Sequence, residues 1–120
     1  MKTLILTLLL AAASYAADFA GKWSGTAEMM RDGETRSSTA VLIFKQDGDK
    51  ITGTGGRDES QQHPFDNVKV DGDKLTCEVN DGDTVVKVSL QAEGDVMKGE
   101  AKAEKDGQKM TVIFNLKRQN

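Results

Sequence analysis

Hydrophobic and polar residues alternate along most of the chain after its first sixteen positions. The segment VVKVSLQ at 85–91 places Val86, Val88 and Leu90 on one side, with polar residues between them. The segment MTVIFNL at 110–116 has the same alternation. A period of two is typical of β-strands with one buried face, and no later stretch has the 3.6-residue period of an amphipathic helix. The pattern therefore predicts an all-β protein.

An acidic residue followed by glycine separates these segments six times, at 32–33, 47–48, 71–72, 81–82, 93–94 and 106–107. Asp-Gly favours a two-residue type I′ hairpin turn, which needs positive φ at both central positions. A seventh break is Gly55-Gly56, which leads into the polar loop from Arg57 to Pro64. Seven breaks separate eight strands, and each strand is expected to pair with its neighbour in sequence.

A meander of eight strands leaves two unpaired edges unless its first and last strands pair with each other. Closure removes both edges. We therefore predict an eight-stranded antiparallel up-and-down meander closed into a barrel, with a two-sheet sandwich as the alternative. In the closed form, the start of strand one and the end of strand eight lie at the same end of the barrel.

The first sixteen residues have the pattern of an export signal. Lys2 precedes an apolar run from Thr3 to Ala13, and Ser14-Tyr15-Ala16 has the small residues of a cleavage site. The run is shorter than the roughly 20 residues that span a bilayer. We therefore expect a signal peptide over residues 1–16, one β-barrel domain over residues 17–120, and secretion or periplasmic export from a bacterium.

Charge and composition narrow the expected partners. The net charge is -3 and the 16 Lys and Arg residues are scattered, which argues against a nucleic acid partner. Cys77 is the only cysteine, so an internal disulfide is excluded, and alternation turns its side chain inward. The Asp-Gly-Asp turns offer oxygen ligands, but turn chemistry already accounts for them. We predict no metal and no cofactor, and calcium binding by these turns stays an open question.

Strand one opens with Phe19-Ala20-Gly21-Lys22-Trp23. This Phe-x-Gly-x-Trp start resembles that of the calycin superfamily, which includes lipocalins, fatty-acid-binding proteins and avidins. The resemblance implies that Trp23 closes one end of the barrel and that a basic residue of the last strand packs across it. Alternation in strand eight turns Arg118 inward at that end, so Gly21, Trp23 and Arg118 are the expected closure residues. A second Trp and the helical insert of fatty-acid-binding proteins are missing, and biotin is not expected as a ligand.

The end opposite Trp23 is the expected binding site. Its longest connection is the polar loop from Arg57 to Pro64, and functional residues concentrate on loops that a rigid scaffold carries. Arg57, His63 and Phe65 are the candidate ligand contacts. Small inward residues along the strands either leave a cavity below this mouth or fill the taper of a solid barrel.

His63 is the only histidine, and no catalytic motif surrounds it, so we predict that the protein is not an enzyme. The first hypothesis is a secreted lipocalin-like binding protein that holds a small apolar ligand at the open barrel end. The alternative is a solid-core interaction or inhibitor module that contacts a protein partner through its loops. Val41 and Ile43, which are apolar on the outer face of strand two, are candidate contacts for a partner or a second subunit.

Overall fold

The structure, a computed structural model, describes residues 18–119, without the side chain of Asp81. Its strands are β1 (Gly21–Arg31), β2 (Glu34–Asp47), β3 (Lys50–Asp58), β4 (Gln61–Pro64), β5 (Asp66–Asp71), β6 (Lys74–Asp81), β7 (Thr84–Glu93), β8 (Val96–Lys105) and β9 (Gln108–Gln119). These described residues form no helix that is long and apolar enough to cross a membrane. The predicted signal peptide, residues 1–16, lies outside the described residues.

The strands form one antiparallel sheet that bends round until its first and last strands meet. The order is β4-β3-β2-β1-β9-β8-β7-β6-β5, so β1 lies between β2 and β9. The β1–β9 register runs from Lys22 opposite Gln119 to Arg31 opposite Met110. The all-β class and the antiparallel meander are therefore confirmed. The sheet comes close to closing into a barrel where the edges of β3 and β5 approach each other.

The structure has nine strands where the sequence predicts eight. The ninth is β4, which lies inside the predicted polar loop and pairs with the end of β3, with His63 opposite Gly55. The register of this pair shifts between Gly55 and Asp58, where the chain bulges before it turns. Residues 57–64 are therefore a short hairpin arm on the sheet.

Six hairpin turns lie where the acidic-Gly pairs predict them, and two of these six have type I′ geometry. In Asp32-Gly33 and Asp106-Gly107 both residues have positive φ, between 52° and 80°. In the other four, φ is positive at glycine but not at the acidic residue before it, and the two loop residues are Gly48-Asp49, Gly72-Asp73, Gly82-Asp83 and Gly94-Asp95. Glycine at the first loop position is typical of a type II′ turn. The type I′ prediction was therefore wrong at these four turns, each of which has an aspartate after its glycine.

The inward faces form a core that is densest at the Trp23 end. Its largest fully buried side chains are Trp23, Phe19, Phe44, Leu75, Leu90, Met97 and Leu116. Phe19 precedes β1 and covers this end, where its carbonyl accepts a hydrogen bond from the indole Nε1 of Trp23 at 3.0 Å. Toward the opposite end, the inward residues Met29 and Met110 are half-buried. The barrel is thus solid at one end and open at the other.

The buried Cys77 thiol is expected to react with 5,5′-dithiobis(2-nitrobenzoate) about a thousandfold more slowly in the folded protein than in urea at about pH 8. Burial raises the pKa of Cys77 from 9.0 to about 12, and the charge of Glu78 adds to this increase. Thiolate is the reactive form, and its fraction falls about tenfold for each unit of increase. The absorbance of the released thionitrobenzoate measures both rates.

The same shift predicts a pH dependence of stability. The unfolded chain loses the Cys77 proton near pH 9, whereas the folded chain keeps it to about pH 12. Between these values the unfolded state binds fewer protons, so the free energy of unfolding declines as pH rises. Cys77→Ala should remove this contribution and so make the decline of the free energy of unfolding with pH less steep. Equal slopes of the free energy of unfolding against pH in the wild type and in Cys77→Ala would contradict the prediction.

Candidate functional site

The three predicted closure residues meet at the filled end of the barrel. The Arg118 guanidinium carbon lies 4.2 Å from the centroid of the Trp23 ring. Arg118 also donates hydrogen bonds to the backbone carbonyls of Asp18, at 2.6 Å, and Ala20. At Gly21, φ is 126° and a Cβ atom would lie 3.1 Å from Arg118 Nη1. Arg118 therefore fixes the segment that precedes β1 against the end of the core.

The three predicted ligand contacts do not share a cleft. Arg57, at the end of β3, and His63, in β4, are exposed. Phe65 is half-buried, and its ring stacks on Phe44 with 5.5 Å between centroids. The ring also covers Gly53, where a Cβ atom would lie 3.0 Å from it. Phe65 is thus part of the barrel wall between β3 and β5.

The hairpin arm folds over the outer face of the sheet and not across the open end. Glu59 at its tip forms an ion pair with Lys22 of β1, which lies opposite Ile43 on the outer face. The Gln62 amide donates to the carbonyl of Val41 at 3.1 Å, which ties the arm to β2. Val41 and Ile43 are half-buried in this region. The two residues predicted as a partner contact therefore lie beside the arm of their own chain.

Asp58 and Glu59, the two acidic residues that precede His63 in the hairpin arm, both have contacts of their own. The Asp58 carboxylate accepts hydrogen bonds from the Ser60 hydroxyl at 2.7 Å, the Ser60 amide at 2.9 Å and the Gln61 amide at 3.0 Å. The Ser60 hydroxyl contributes most to lowering the pKa of Asp58 below its ordinary value. Because Glu59 pairs with Lys22, both carboxylates have partners other than His63.

Candidate metal ligands are likewise dispersed. Within residues 18–119, no group of three His, Cys, Asp or Glu side chains is placed to hold a metal ion. Two carboxylates of the turns at the filled end have partners of another kind: Asp73 accepts from Gln91 at 3.0 Å, and Asp95 accepts from Arg118 at 3.2 Å.

The open end, where the sequence predicts the binding site, contains a cleft of about 610 Å³ whose lining includes none of the three predicted ligand contacts. It is lined by Arg31, Gly82, Asp83, Thr84, Val86, Ala103, Lys105, Asp106, Gln108, Lys109 and Met110. Met110 lies opposite both Arg31 and Ala103, so these three side chains share the inward face. In the sequence, the lining of this cleft can be found by following the inward-facing residues of each strand to the strand end that lies farthest from Trp23.

At the open end of the barrel, β2 extends beyond β3. The β2–β3 register ends with Val41 opposite Gly56, and residues 34–40 of β2 pair with β1 alone among the described strands. The inward residues of this stretch, Arg36 and Ser38, are consequently exposed. Met29, directly opposite Arg36, is half-buried.

This arrangement is suited to binding, since an apolar floor lies below a rim that carries both signs of charge. Val86, Ala103 and Met110 form the floor, whereas Arg31, Lys105 and Lys109 are the cationic side chains of the lining. Comparisons of the chain with protein-family models, with curated proteins and with solved structures found no match.

Proposed function

We propose that the protein is a secreted, non-enzymatic binding protein of lipocalin-like type, which holds a small apolar molecule at the open end of its barrel. The observation that carries this proposal is a set of half-buried, inward apolar side chains that line an open cleft: Val86, Ala103 and Met110. Ligand sites in proteins are typically concave and about 300–1,000 Å³ in volume, a range that includes this cleft of about 610 Å³, in which a polar and charged rim surrounds the small apolar floor.

The filled core sets the depth at which such a ligand is held. Trp23, Phe44 and Leu90 are fully buried in the half of the barrel next to the closure residues. A ligand would therefore rest on top of this core. Its apolar part would contact Met110 and Val86, and its other end would lie at the charged rim. Burial of the apolar part supplies the affinity, at about 25 cal/mol for each Å² removed from water.

Secretion is supported by the sequence pattern of residues 1–16, with its basic start, apolar run and small-residue exit. A small apolar molecule has low solubility in the periplasm or the medium, and a protein that shields part of its surface there would act as a carrier or a scavenger. The non-enzymatic part of the proposal is supported by His63, which is exposed on the outer arm and far from the lining of the cleft.

Met110→Glu is expected to weaken binding of the uncharged probe N-phenyl-1-naphthylamine at least about tenfold. The change removes apolar contact area from the floor and places a charge against the probe. Fluorescence titration of the purified domain measures the dissociation constant. Val86→Asp should have an effect of the same direction, since its side chain lies on the same floor.

Met30→Glu is the matched control, because Met30 follows Met29 on β1 but points outward and is 40% exposed. Its probe affinity should stay within about twofold of wild type, and thermal unfolding should show that all three variants fold. A wild-type protein that does not bind the probe, or a Met30→Glu variant as weak as Met110→Glu, would contradict the proposed site.

A further inference from the structure

We propose that the barrel wall contains a second binding site, which takes an extended segment of a partner protein with alternating apolar and basic side chains. The site is the gap between residues 50–53 of β3 and residues 67–71 of β5, here called the seam. These two stretches are neighbouring edges of the nearly closed sheet, yet no pairing register joins them in the described chain.

The hairpin between β2 and β3 determines which backbone groups of β3 point into the seam. Asp47 lies opposite Lys50 as the closing pair of a two-residue turn, and such a pair exchanges hydrogen bonds within its own hairpin. The backbone groups of Ile51 therefore point away from β2. Two residues further on, the Gly53 carbonyl points the same way and accepts a bond from the Phe65 amide at 2.9 Å. That bond confirms the alternation along this edge.

The hairpin between β5 and β6 determines, in the same way, which backbone groups of β5 point into the seam. Asp71 lies opposite Lys74 across the two-residue turn, so Asp71 directs its backbone groups at β6. The N–H and C=O of Val70 consequently point into the seam. Val70 and Ile51 thus present backbone donors and acceptors from two neighbouring edges, to which an added strand can bond.

β5 contains a bulge next to the seam. Between the pairs Asp66–Glu78 and Lys69–Thr76 the register of β5 shifts by one residue. Asn67 adopts a φ of 52° at this position, and its side-chain amide donates to Glu78 at 2.7 Å. Bulges bend and twist a strand, so this one changes the direction of β5 just after Phe65, whose amide bonds the Gly53 carbonyl of β3.

The floor of the seam is apolar and incompletely covered. Val70 is 40% exposed, although Leu75, opposite it on the same inward face, is fully buried. Ile51, Phe65 and Val68 are half-buried against the core along the same gap. An added strand would cover these side chains with every second residue of its own.

The residues that line the seam carry an excess of negative charge. The cleft there, about 540 Å³, is lined by three carboxylates, those of Asp47, Asp49 and Asp66, and by one ammonium group, that of Lys50. Charge complementarity therefore favours lysine or arginine at the outward positions of the added strand. A segment of about five residues spans the seam at roughly 3.3 Å per residue.

The test uses the whole mature domain and two synthetic peptides, Val-Lys-Val-Lys-Val-Lys-Val and the same peptide with Glu in place of Lys. Fluorescence anisotropy should show saturable binding of the Lys peptide, weakening with added salt, and at least about tenfold weaker binding of the Glu peptide. Val70→Pro removes the backbone donor that faces the seam but keeps the ladder to β6, and should weaken binding about tenfold. Val70→Thr, which keeps the donor, should bind within about threefold of wild type.

Four results would overturn the proposal. One is equal binding of both peptides, and another is unchanged binding by Val70→Pro. A third is slow hydrogen exchange at the Ile51 and Val70 amides of the free protein, which would mean that the seam closes on itself. A concentration-dependent dimer that Val70→Pro abolishes would assign the seam to a second copy of the chain and would also overturn it. The Met110→Glu variant should bind the Lys peptide normally, so this test and that of the open cleft fail independently.

Discussion

Replacing Arg118 with alanine is expected to lower the free energy of unfolding by about 3 kcal/mol. The guanidinium lies over the Trp23 ring, binds two backbone carbonyls of the segment before β1, and is 18% exposed. Truncation removes the cation–π contact and leaves those carbonyls without their donor. It also releases the segment that carries Phe19, which covers the end of the core. Urea unfolding followed by the fluorescence of Trp23, the single tryptophan, measures the loss directly.

Neighbouring residues provide the controls for this prediction. Lys117→Ala removes an exposed outward charge from the same strand and should change stability by less than about 0.5 kcal/mol. Asp95→Ala should also have a small effect, since this partner of Arg118 is 82% exposed. Arg118→Lys keeps the charge but loses the fork that binds two carbonyls, so an intermediate loss is expected. A loss for Arg118→Ala no larger than that for Lys117→Ala would contradict the role given to this contact.

The hairpin positions could be predicted from the sequence because each depends on a few adjacent residues. A glycine with positive φ and a charged neighbour specify a tight turn whatever the rest of the chain does. The turn type depended on one further residue, the aspartate after glycine in Gly48-Asp49 and its three counterparts. The pairing of β1 with β9 was predictable for a different reason, because a meander that ends with exposed edges is less favourable than one that closes.

The position of the hairpin arm, residues 57–64, on the outer face could not be predicted, because it depends on contacts with residues that are distant in sequence. Polarity alone indicates a loop, and a loop at the mouth is a reasonable candidate site. The arm instead lies on the outer face because Glu59 reaches Lys22, 37 positions away, and Gln62 reaches Val41. Gly56 permits this path, since a Cβ atom there would lie 1.6 Å from the Gln61 carbonyl oxygen.

The point at which the core ends along β2 depends on relative strand lengths, which alternation does not reveal. The sequence indicates that β2 is a strand but does not show that β3 leaves it after Gly56, opposite Val41. The uncovered stretch of β2 then exposes Arg36 on the inward face, opposite the half-buried Met29. An arginine at an inward position interrupts the apolar alternation, and this interruption is the sequence signal that the core ends there.

Gly25→Ala is expected to destabilise the domain by about 3 kcal/mol or more, and Gly25→Val to prevent closure of the barrel. A Cβ atom at Gly25 would lie 2.0 Å from the Asn115 carbonyl oxygen and 2.9 Å from Leu116 Cα. Both atoms belong to the backbone of β9, so the contact can be relieved only if the two closing strands separate. Denaturant unfolding followed by far-ultraviolet circular dichroism measures the effect of the alanine variant, and limited proteolysis detects loss of closure in the valine variant.

Gly107→Ala is the matched control, because it introduces the same methyl group for a different physical cost. Gly107 has a φ of 80° and no atom within 4 Å of its would-be Cβ, so the cost should be the backbone strain alone, about 1 kcal/mol. At Gly25 the backbone is free of that strain and the cost is steric. If closure depends on the close approach of β1 to β9, the Gly25 variant must be the less stable of the two by at least about 2 kcal/mol. The reverse order would mean that β9 yields to the methyl group and that the first and last strands are held together less tightly than their register implies.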